Sequence, residues 1–351
     1  MKTNNPFTLL FGQLPPSYIE RASQTNYIKG AFESINPLSR LFIITGIRGC
    51  GKTVTMTSLS SYFEAKKDWV VVDLNPESNL LEALASKLYD NAKVRHIFLD
   101  KSFSISFQGV GFSLSGKRPF TNVESVIEEM LKALAKQKKK VLITIDEVTG
   151  NQHMKVFAHA FQSLLRKNYD VFALMTGLYE NISSLQNVES LTFLYRAPKV
   201  VLDPLNLAST AHSYANILKC GEEESLKLAA MTKGYAFAYQ VLGSILWEMD
   251  ETAINSDVLA EYDAKLFEYS YDKIWSELSP KDKTVLKAMQ GDAEPVSDIL
   301  ANLQIKKNEL SVYKDRLVKK GIIDGDQRGI FVLRLPRFYR YIEMKRLSEN
   351  Y

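Results

Sequence analysis

The sequence predicts an α/β fold, with a parallel sheet in its first part and helices in its second. Four apolar, strand-forming runs lie within the stretches 41–53, 69–75, 138–148 and 171–177. Continuous apolar runs of this kind are typical of strands buried on both faces of a parallel sheet. The residues after the first run place Met56, Leu59 and Phe63 on one helical face. We therefore expect alternating strands and helices around a buried sheet.

A glycine-rich loop follows the first strand run, LFIITGIRGCGKT. Gly46, Gly51, Lys52 and Thr53 match the pattern G-x-x-x-x-G-K-S/T of a phosphate-binding loop. Backbone N–H groups converge on phosphate oxygens where side chains are absent, and the lysine neutralises the terminal phosphates. The predicted nucleotide contacts are Gly46, Ile47, Arg48, Gly49, Cys50, Gly51, Lys52, Thr53 and Val54. Thr53 is also expected to hold Mg²⁺. The alternative for the whole glycine-rich segment is a simple turn between a strand and a helix.

An acidic pair ends the apolar run KKKVLITIDEV. Asp146 is expected to bind Mg²⁺, and Glu147 is expected to polarise the attacking water, as phosphoryl transfer requires. Solvated acidic pairs also end many strands, so the predicted roles of Asp146 and Glu147 depend on the presence of the phosphate-binding loop. The Asp-Glu order further indicates that one strand intervenes between the loop strand and this one, and the run 69–75 is expected to form an edge strand.

Two further candidates follow along the chain. Thr176 ends the run VFALMTG, where its hydroxyl would lie near a γ-phosphate if this strand neighbours the strand of Asp146. The alternative is a β-branched residue that merely ends a strand. Arg196 precedes a short strand and is a candidate arginine finger, in cis or across a homo-oligomer, because its charged fork matches phosphate oxygens. A surface salt bridge is the alternative for Arg196.

Several segments together resemble a known family. The stretches NPFTLLFGQLPP, TGIRGCGKT, LITIDEV, FALMTGLYENI, FLYRAP and TKGYAFAYQVLG look like those of prokaryotic AAA+/STAND-type ATPases, a group similar to archaeal origin-recognition initiators. The resemblance implies a P-loop NTPase core of the ASCE type at 1–205, a helical lid at 206–270 and a winged helix at 271–351. It also implies ATP and Mg²⁺ as cofactors and hydrolysis of ATP to ADP and phosphate. No Asn-Lys-x-Asp signal for guanine is visible.

The lid departs from the family pattern. Initiator-type members carry an arginine sensor there, whereas the stretch Gly234-Tyr235-Ala236-Phe237 has none and lacks the proline of switch-like members. The missing arginine therefore puts hydrolysis coupled to the lid in question.

The resemblance also implies that the N-terminal element contacts adenine, with Tyr18, Ile19 and Arg21 as the candidates.

Basic residues concentrate near the C-terminus. From Gln304 to Tyr351, twelve Lys and Arg stand against six Asp and Glu, a local net charge of +6 in a chain of net charge +4. Three helices followed by a hairpin are the winged-helix plan. Lys307, Ser311, Lys314 and Lys319 would face double-stranded DNA from the third helix, with Arg328 at the wing tip. One hypothesis is thus a DNA-associated ATPase, and the other is a slow regulatory switch whose winged helix contacts protein.

Composition and hydropathy narrow the class of protein that the sequence can encode. The chain has 351 residues, of which 46% are apolar and 24% charged, as in ordinary globular proteins. No apolar run approaches the ~18 residues that span a bilayer, and the N-terminus lacks a signal pattern, so we expect a cytoplasmic protein. The alternating segment 102–116 is expected to form a hairpin that either covers the core or contacts nucleic acid.

Overall fold

The computed structural model describes residues 4–10, 12, 14–99, 122–188 and 191–348. The hairpin expected at 102–116 lies outside these residues. The chain forms two compact units. The sheet unit comprises Ala22–Thr45 and Lys52–Val201, and the helical unit comprises Met1–Arg21, Gly46–Gly51 and Leu202–Tyr351. The division into core, lid and winged helix stays a prediction.

The sheet unit is built on five parallel strands. In chain order they are β1 Leu41–Thr45, β2 Trp69–Leu74, β3 Lys140–Ile145, β4 Val171–Gly177 and β5 Lys199–Val201. Their order across the sheet is β2-β3-β4-β1-β5. The expectation that one strand separates the loop strand from the strand of Asp146 is confirmed, because β4 lies between β1 and β3. The expected edge position of the run 69–75 is also confirmed, in β2.

Helices cover both faces of this sheet. They are α1 Ala22–Glu33, α2 Lys52–Glu64, α3 Leu80–Asp90, α4 Arg95–Leu99, α5 Val123–Lys136, α6 Gln152–Arg166, α7 Tyr179–Gln186 and α8 Thr192–Tyr195. Alternate strand residues point to opposite faces. On one face Phe42 and Phe172 join Phe32 of α1 and Phe63 of α2 in a cluster of buried rings. On the other, α3, α5 and α6 pack their apolar stripes against the strands.

The helical unit contains a second buried core. Its elements are α9 Leu207–Leu218, α10 Glu222–Met231, α11 Ala236–Met249, α12 Ser256–Leu266, a π-helical turn Phe267–Tyr271, α13 Asp272–Ser276, α14 Pro280–Lys287, β6 Ala293–Pro295, α15 Val296–Leu303, α16 Lys307–Lys319, β7 Ile330–Val332 and α17 Phe338–Ser348. Apolar residues from α9 to α17 form one contiguous cluster. None of the described helices is long and apolar enough to cross a bilayer.

The N-terminal segment packs on α11 in this unit. Phe7 is buried against Tyr214 and Tyr239. It occupies a notch made by Gly243, where an added Cβ would lie only 2.3 Å from the Phe7 ring. Gln240 accepts hydrogen bonds from the Thr8 N–H at 3.0 Å and from the Ser17 hydroxyl at 3.1 Å. These contacts fasten the N-terminal segment to α11.

The basic C-terminal stretch follows the expected helix order, with one difference. Ser279 and Asp282 form the capping box that begins α14, and α15 and α16 occur where the sequence indicates. The second arm of the expected hairpin, however, pairs mainly with β6, a strand that the sequence did not predict. β7 pairs antiparallel with β6, and a single bridge from Ile323 to Leu333 links the two arms of the expected hairpin.

Candidate functional site

Thr53 and Asp146 meet where β3 ends and α2 begins. The Thr53 hydroxyl donates a hydrogen bond of 2.7 Å to Asp146 Oδ2. Asp146 directly follows β3, and Thr53 is the second residue of α2. Mg²⁺ prefers such oxygen ligands and usually takes one or two of them from protein, with the rest from phosphates and water. Within the described residues, no group of three His, Cys, Asp or Glu side chains that could hold a metal ion is found. The role of Thr53 and Asp146 toward Mg²⁺ stays a prediction.

Thr176 holds the acidic pair in place. Its hydroxyl donates to Asp146 Oδ1 and accepts the Glu147 N–H at 3.1 Å. The Val148 N–H donates to the Thr176 carbonyl at 2.8 Å. Thr176 is fully buried at the end of β4, which pairs with β3. Its hydroxyl is thus engaged with the carboxylate strand, and a contact with γ-phosphate stays a prediction.

Glu147 has a left-handed backbone. Its φ is +51°, a region that costs a non-glycine residue roughly 1 kcal/mol or more. The two hydrogen bonds made by β4 to the N–H groups of residues 147 and 148 hold this turn. The Glu147 side chain is exposed, while Asp146 is half-buried. The turn therefore gives two adjacent carboxylates different environments.

The glycine segment of the loop, residues 46–51, belongs to the helical unit. Gly49 has φ +76°, and an added Cβ would lie 2.2 Å from the Tyr235 hydroxyl. Gly51 has φ +94°, and an added Cβ would lie 3.3 Å from an Arg21 guanidinium nitrogen. Both positions require glycine, although Gly49 is variable in the motif. Tyr235 supplies the reason at Gly49, and no sequence pattern predicts this contact.

Three consecutive carbonyls of this segment are held by donors from distant residues. The Tyr235 hydroxyl donates to the Arg48 carbonyl at 2.8 Å, and the Phe237 N–H donates to the Gly49 carbonyl at 3.0 Å. Arg21 Nη2 donates to the Cys50 carbonyl at 2.7 Å. The Tyr235 hydroxyl also makes a 2.7 Å hydrogen bond with Ser270. One side of the loop backbone is therefore fixed residue by residue.

Arg21 is a buried guanidinium. It keeps 8% of its surface exposed and also donates from Nε to the Asp203 carbonyl at 2.9 Å. Burial lowers the pKa of Arg21 from its ordinary value. Arg21 was an adenine candidate, but the structure places its side chain on the loop backbone. Tyr18 is half-buried, and Ile19 packs on the core of the helical unit; their contacts with adenine stay predictions.

Two variable loop residues contact the C-terminal stretch of the same unit. Arg48 forms an ion pair with Glu277 at 3.2 Å, just after α13. Ile47 packs beside Gly321, where an added Cβ would lie 3.3 Å from the Ile47 Cβ. Gly321 follows the C-cap of α16 and has φ +75°. The residues between the motif glycines thus connect the loop to the segment 277–321.

The remaining candidates are placed as follows. Lys52 begins α2 and is 9% exposed, and Val54 lies half-buried two residues further on. Cys50 is buried, with its N–H donating to the Ile47 carbonyl at 3.2 Å. Arg196 is exposed at the C-cap of α8. The roles of these residues toward a nucleotide stay predictions.

The basic surface of α16 differs from the expected one at Lys314. Its ammonium donates to the carbonyls of Gln327 at 3.0 Å and Ile330 at 3.2 Å, and it lies over the Phe331 ring. Lys314 therefore fastens the returning loop and is not presented to a groove. Lys307, Lys319 and Arg328 are exposed, and Leu310 and Leu317 are buried as the pattern indicates.

Comparisons with known proteins show which solved structures share this fold. Residues 268–342 match the model of a family described as a domain of unknown function, DUF8462. No curated protein sequence is detectably similar to the chain. The Walker-type ATPase PABY2304 of Pyrococcus abyssi matches with a TM-score of 0.63 and 15% identity, over 93% of this chain and 96% of that one.

Two further solved structures also match. The ORC2 protein of Aeropyrum pernix, in ADPNP-ADP complexes, has a TM-score of 0.57 and 13% identity over 97% of both chains. Cdc6p of Pyrobaculum aerophilum has a TM-score of 0.50 and 13% identity, over 96% of this chain and 97% of that one. The chain shares the fold of these three structures. The predicted P-loop NTPase fold class and the predicted likeness to archaeal ORC/Cdc6 and Walker-type ATPase structures are thereby confirmed, and the winged helix stays a prediction.

Proposed function

We propose that this protein binds ATP with Mg²⁺ and hydrolyses it to ADP and phosphate. The observation that carries the proposal is the hydrogen bond from Thr53 to Asp146, with Asp146 held in turn by Thr176. A hydroxyl and a carboxylate brought together beside a phosphate-loop lysine are the residue types that this chemistry requires. The identity of the nucleotide as ATP rests on the resemblance of the sequence.

Each residue has a defined task in this proposal. Lys52 balances charge on the terminal phosphates, and the loop backbone donates to their oxygens. Thr53 and Asp146 would hold Mg²⁺, which supplies neutralisation of charge on the phosphate oxygens. Glu147 orients a water for attack and accepts its proton, and Thr176 keeps Asp146 and Glu147 in register. Arg196 is available to a neighbouring subunit, because its side chain is exposed.

Steady-state turnover of Mg-ATP tests the proposal. Lys52→Ala is expected to lower turnover about 100-fold or more, because it removes a cation at the developing charge. Lys67→Ala, an exposed lysine of the same unit, is the matched control and should leave the rate unchanged. Equal rates in wild type and Lys52→Ala would refute hydrolysis at this loop.

We further propose that the nucleotide state controls association with double-stranded DNA. The local charge of the C-terminal stretch and the exposure of Lys307 and Arg328 support this. Lys307→Ala with Arg328→Ala should weaken duplex binding about tenfold at low salt and flatten its salt dependence. Lys281→Ala with Arg340→Ala removes the same charge from exposed positions of the same unit and serves as control. Equal losses in both pairs would indicate non-specific charge attraction.

A regulatory switch is the second candidate, and the Arg48 to Glu277 ion pair favours it. This pair and the Ile47 contact with Gly321 give the loop a connection to the segment 277–321. Hydrogen exchange of that segment should therefore differ between ATP-bound and ADP-bound protein, and Glu277→Gln should reduce the difference. Identical exchange in the two nucleotide states would exclude the switch.

A further inference from the structure

The phosphate loop is supported on one side by three donors that lie outside the motif of residues 46–53. The Arg48, Gly49 and Cys50 carbonyls accept hydrogen bonds from the Tyr235 hydroxyl, the Phe237 N–H and the Arg21 guanidinium. All these residues belong to the helical unit. The support comes from two places in the sequence, the end of the N-terminal segment and the start of α11.

These bonds determine where the loop N–H groups point. In a planar trans peptide the carbonyl of one residue and the N–H of the next lie on opposite sides of the chain. Holding the Arg48 carbonyl therefore directs the Gly49 N–H away from Tyr235. In the same way, holding the Cys50 carbonyl directs the Gly51 N–H away from Arg21. A phosphate-binding loop needs its N–H groups aimed at one point before the ligand arrives.

The two side chains are well suited to this task. Burial raises the pKa of Tyr235, so its hydroxyl keeps its proton and remains a donor. Tyr235 is itself held by Ser270 at 2.7 Å, which fixes the direction of its hydroxyl. Arg21 adds a second effect, because its buried positive charge lies beside Gly51 and attracts an anion through a medium of low dielectric constant.

We propose that Tyr235 and Arg21 are positioning residues that preset the phosphate loop, so that residues outside the motif set phosphate affinity through the loop backbone. The inference rests on the proposed nucleotide function and extends it to residues outside the motif. It also gives the stretch Gly234-Tyr235-Ala236-Phe237, which lacks an arginine, a direct contact with the loop. Any change in the position of α11 would alter the aim of the Gly49 N–H.

The test compares variants that remove one donor each. Tyr235→Phe deletes only the hydroxyl, and Tyr214→Phe is its control, a buried tyrosine of α9 in the same unit whose hydroxyl donates to the Tyr239 carbonyl at 2.8 Å. Arg21→Met removes the guanidinium, and Arg21→Lys restores one cationic donor. The readout is displacement of a fluorescent ADP analogue, without Mg²⁺, by ADP and by inorganic pyrophosphate.

We expect Tyr235→Phe to weaken ADP and pyrophosphate by the same factor, about tenfold, the worth of one well-formed hydrogen bond. Arg21→Met should weaken both by more, and Arg21→Lys should recover part of the loss. Tyr214→Phe should change neither affinity. A merely structural role would lower the melting temperature of Tyr235→Phe and Tyr214→Phe alike and would not act equally on the two ligands.

Unchanged affinities in Tyr235→Phe and Arg21→Met would overturn this inference and leave the nucleotide proposal standing. A loss for ADP without a loss for pyrophosphate would also overturn it, because the effect would then lie at the nucleoside. Wild-type protein that binds neither ligand would overturn the proposed function and this inference together.

Discussion

The two ends of the phosphate loop are held in different ways. At the metal end, Thr53, Asp146 and Thr176 form a short chain of side-chain hydrogen bonds within the sheet unit. In the glycine segment, the contacts reach the backbone carbonyls and come from Arg21, Tyr235 and the Phe237 N–H in the helical unit. Under the proposed function, the first end would supply the reactive groups and the second would fix the conformation of the phosphate-binding backbone.

The difference separates chemistry from positioning. A substitution at the proposed metal end should affect turnover more than Mg²⁺-independent affinity, because it removes groups that would act on the reacting phosphate under the proposed function. A substitution at the supports of the glycine segment should affect affinity for phosphates first. The following predictions test whether the two ends can be impaired independently.

The largest effect is expected from Asp146→Asn. It removes the carboxylate charge that would hold Mg²⁺ and keeps the shape of the side chain. Turnover of Mg-ATP should fall about 100-fold or more, since metal stabilisation is worth several kcal/mol. Steady-state phosphate release measures this fall. Asp68→Asn, an exposed aspartate of the same unit, is the control, and a similar fall in both variants would contradict a role for Asp146 in the reaction.

Thr176→Val should have the next largest effect. It keeps the shape of the buried side chain but removes the hydroxyl that links Asp146 to the Glu147 N–H. Turnover should fall about tenfold, because hydrogen bonds to charged groups contribute about 1.5–3 kcal/mol. Thr176→Ser keeps the hydroxyl and should recover most of the rate, whereas equal losses in Val and Ser variants would point to packing alone.

Gly243→Ala tests the N-terminal support of the glycine segment. The new methyl group would meet the Phe7 ring at 2.3 Å and displace the segment that leads to Arg21. We expect a loss of about 1–3 kcal/mol in the free energy of unfolding, as for other overpacked sites, together with weaker ADP binding. Chemical denaturation and titration measure the two. Combining it with Phe7→Leu should relieve part of the strain, and no relief would mean that Phe7 is not the clashing group.

Asp272→Asn should give the smallest effect, and one that depends on pH. Hydrogen bonds from Lys345 and Tyr341 lower the pKa of Asp272 below its ordinary value of 3.8. The carboxylate therefore stabilises the fold above its unfolded pKa, and this contribution disappears as the pH falls through the lower folded pKa. At neutral pH we expect a loss of about 0.5 kcal/mol, because the side chain is half-exposed.

Denaturation of wild type and Asp272→Asn between pH 7 and pH 2 checks this. The difference between the two should be constant from pH 7 to about pH 5 and should vanish at the acid end. A difference that grows as the pH falls would have the opposite sign and would contradict the pairing of Asp272 with Lys345.

The sequence was sufficient for the sheet and for the residues that end its strands. The runs that became β1, β2, β3 and β4 are continuous and apolar, and the loop motif and the Asp-Glu pair indicated their order. Thr176 was found for the same reason, since the carboxyl ends of neighbouring parallel strands share one edge. β6 was missed because Ala293–Pro295 is short and contains Glu and Pro, which give no strand signal.

The supports of the glycine segment could not be predicted. Tyr235 and Arg21 act on backbone carbonyls, and a backbone acceptor leaves no pattern in the sequence of either partner. The stretch Gly234-Tyr235-Ala236-Phe237 drew attention only for the arginine that it lacks. Lys314 was placed on the wrong surface for a related reason. Helical periodicity indicates the outward face of α16 but not the loop that returns over it.

The most direct test of this account is the Mg²⁺-independent affinity of ADP, measured side by side in wild type, Asp146→Asn and Tyr235→Phe. If the metal end carries chemistry and the glycine segment carries phosphate affinity, Asp146→Asn binds ADP no more weakly than wild type. Tyr235→Phe then binds it about tenfold more weakly. The opposite order, or equal losses in the two variants, would contradict the separation of the two ends of the loop.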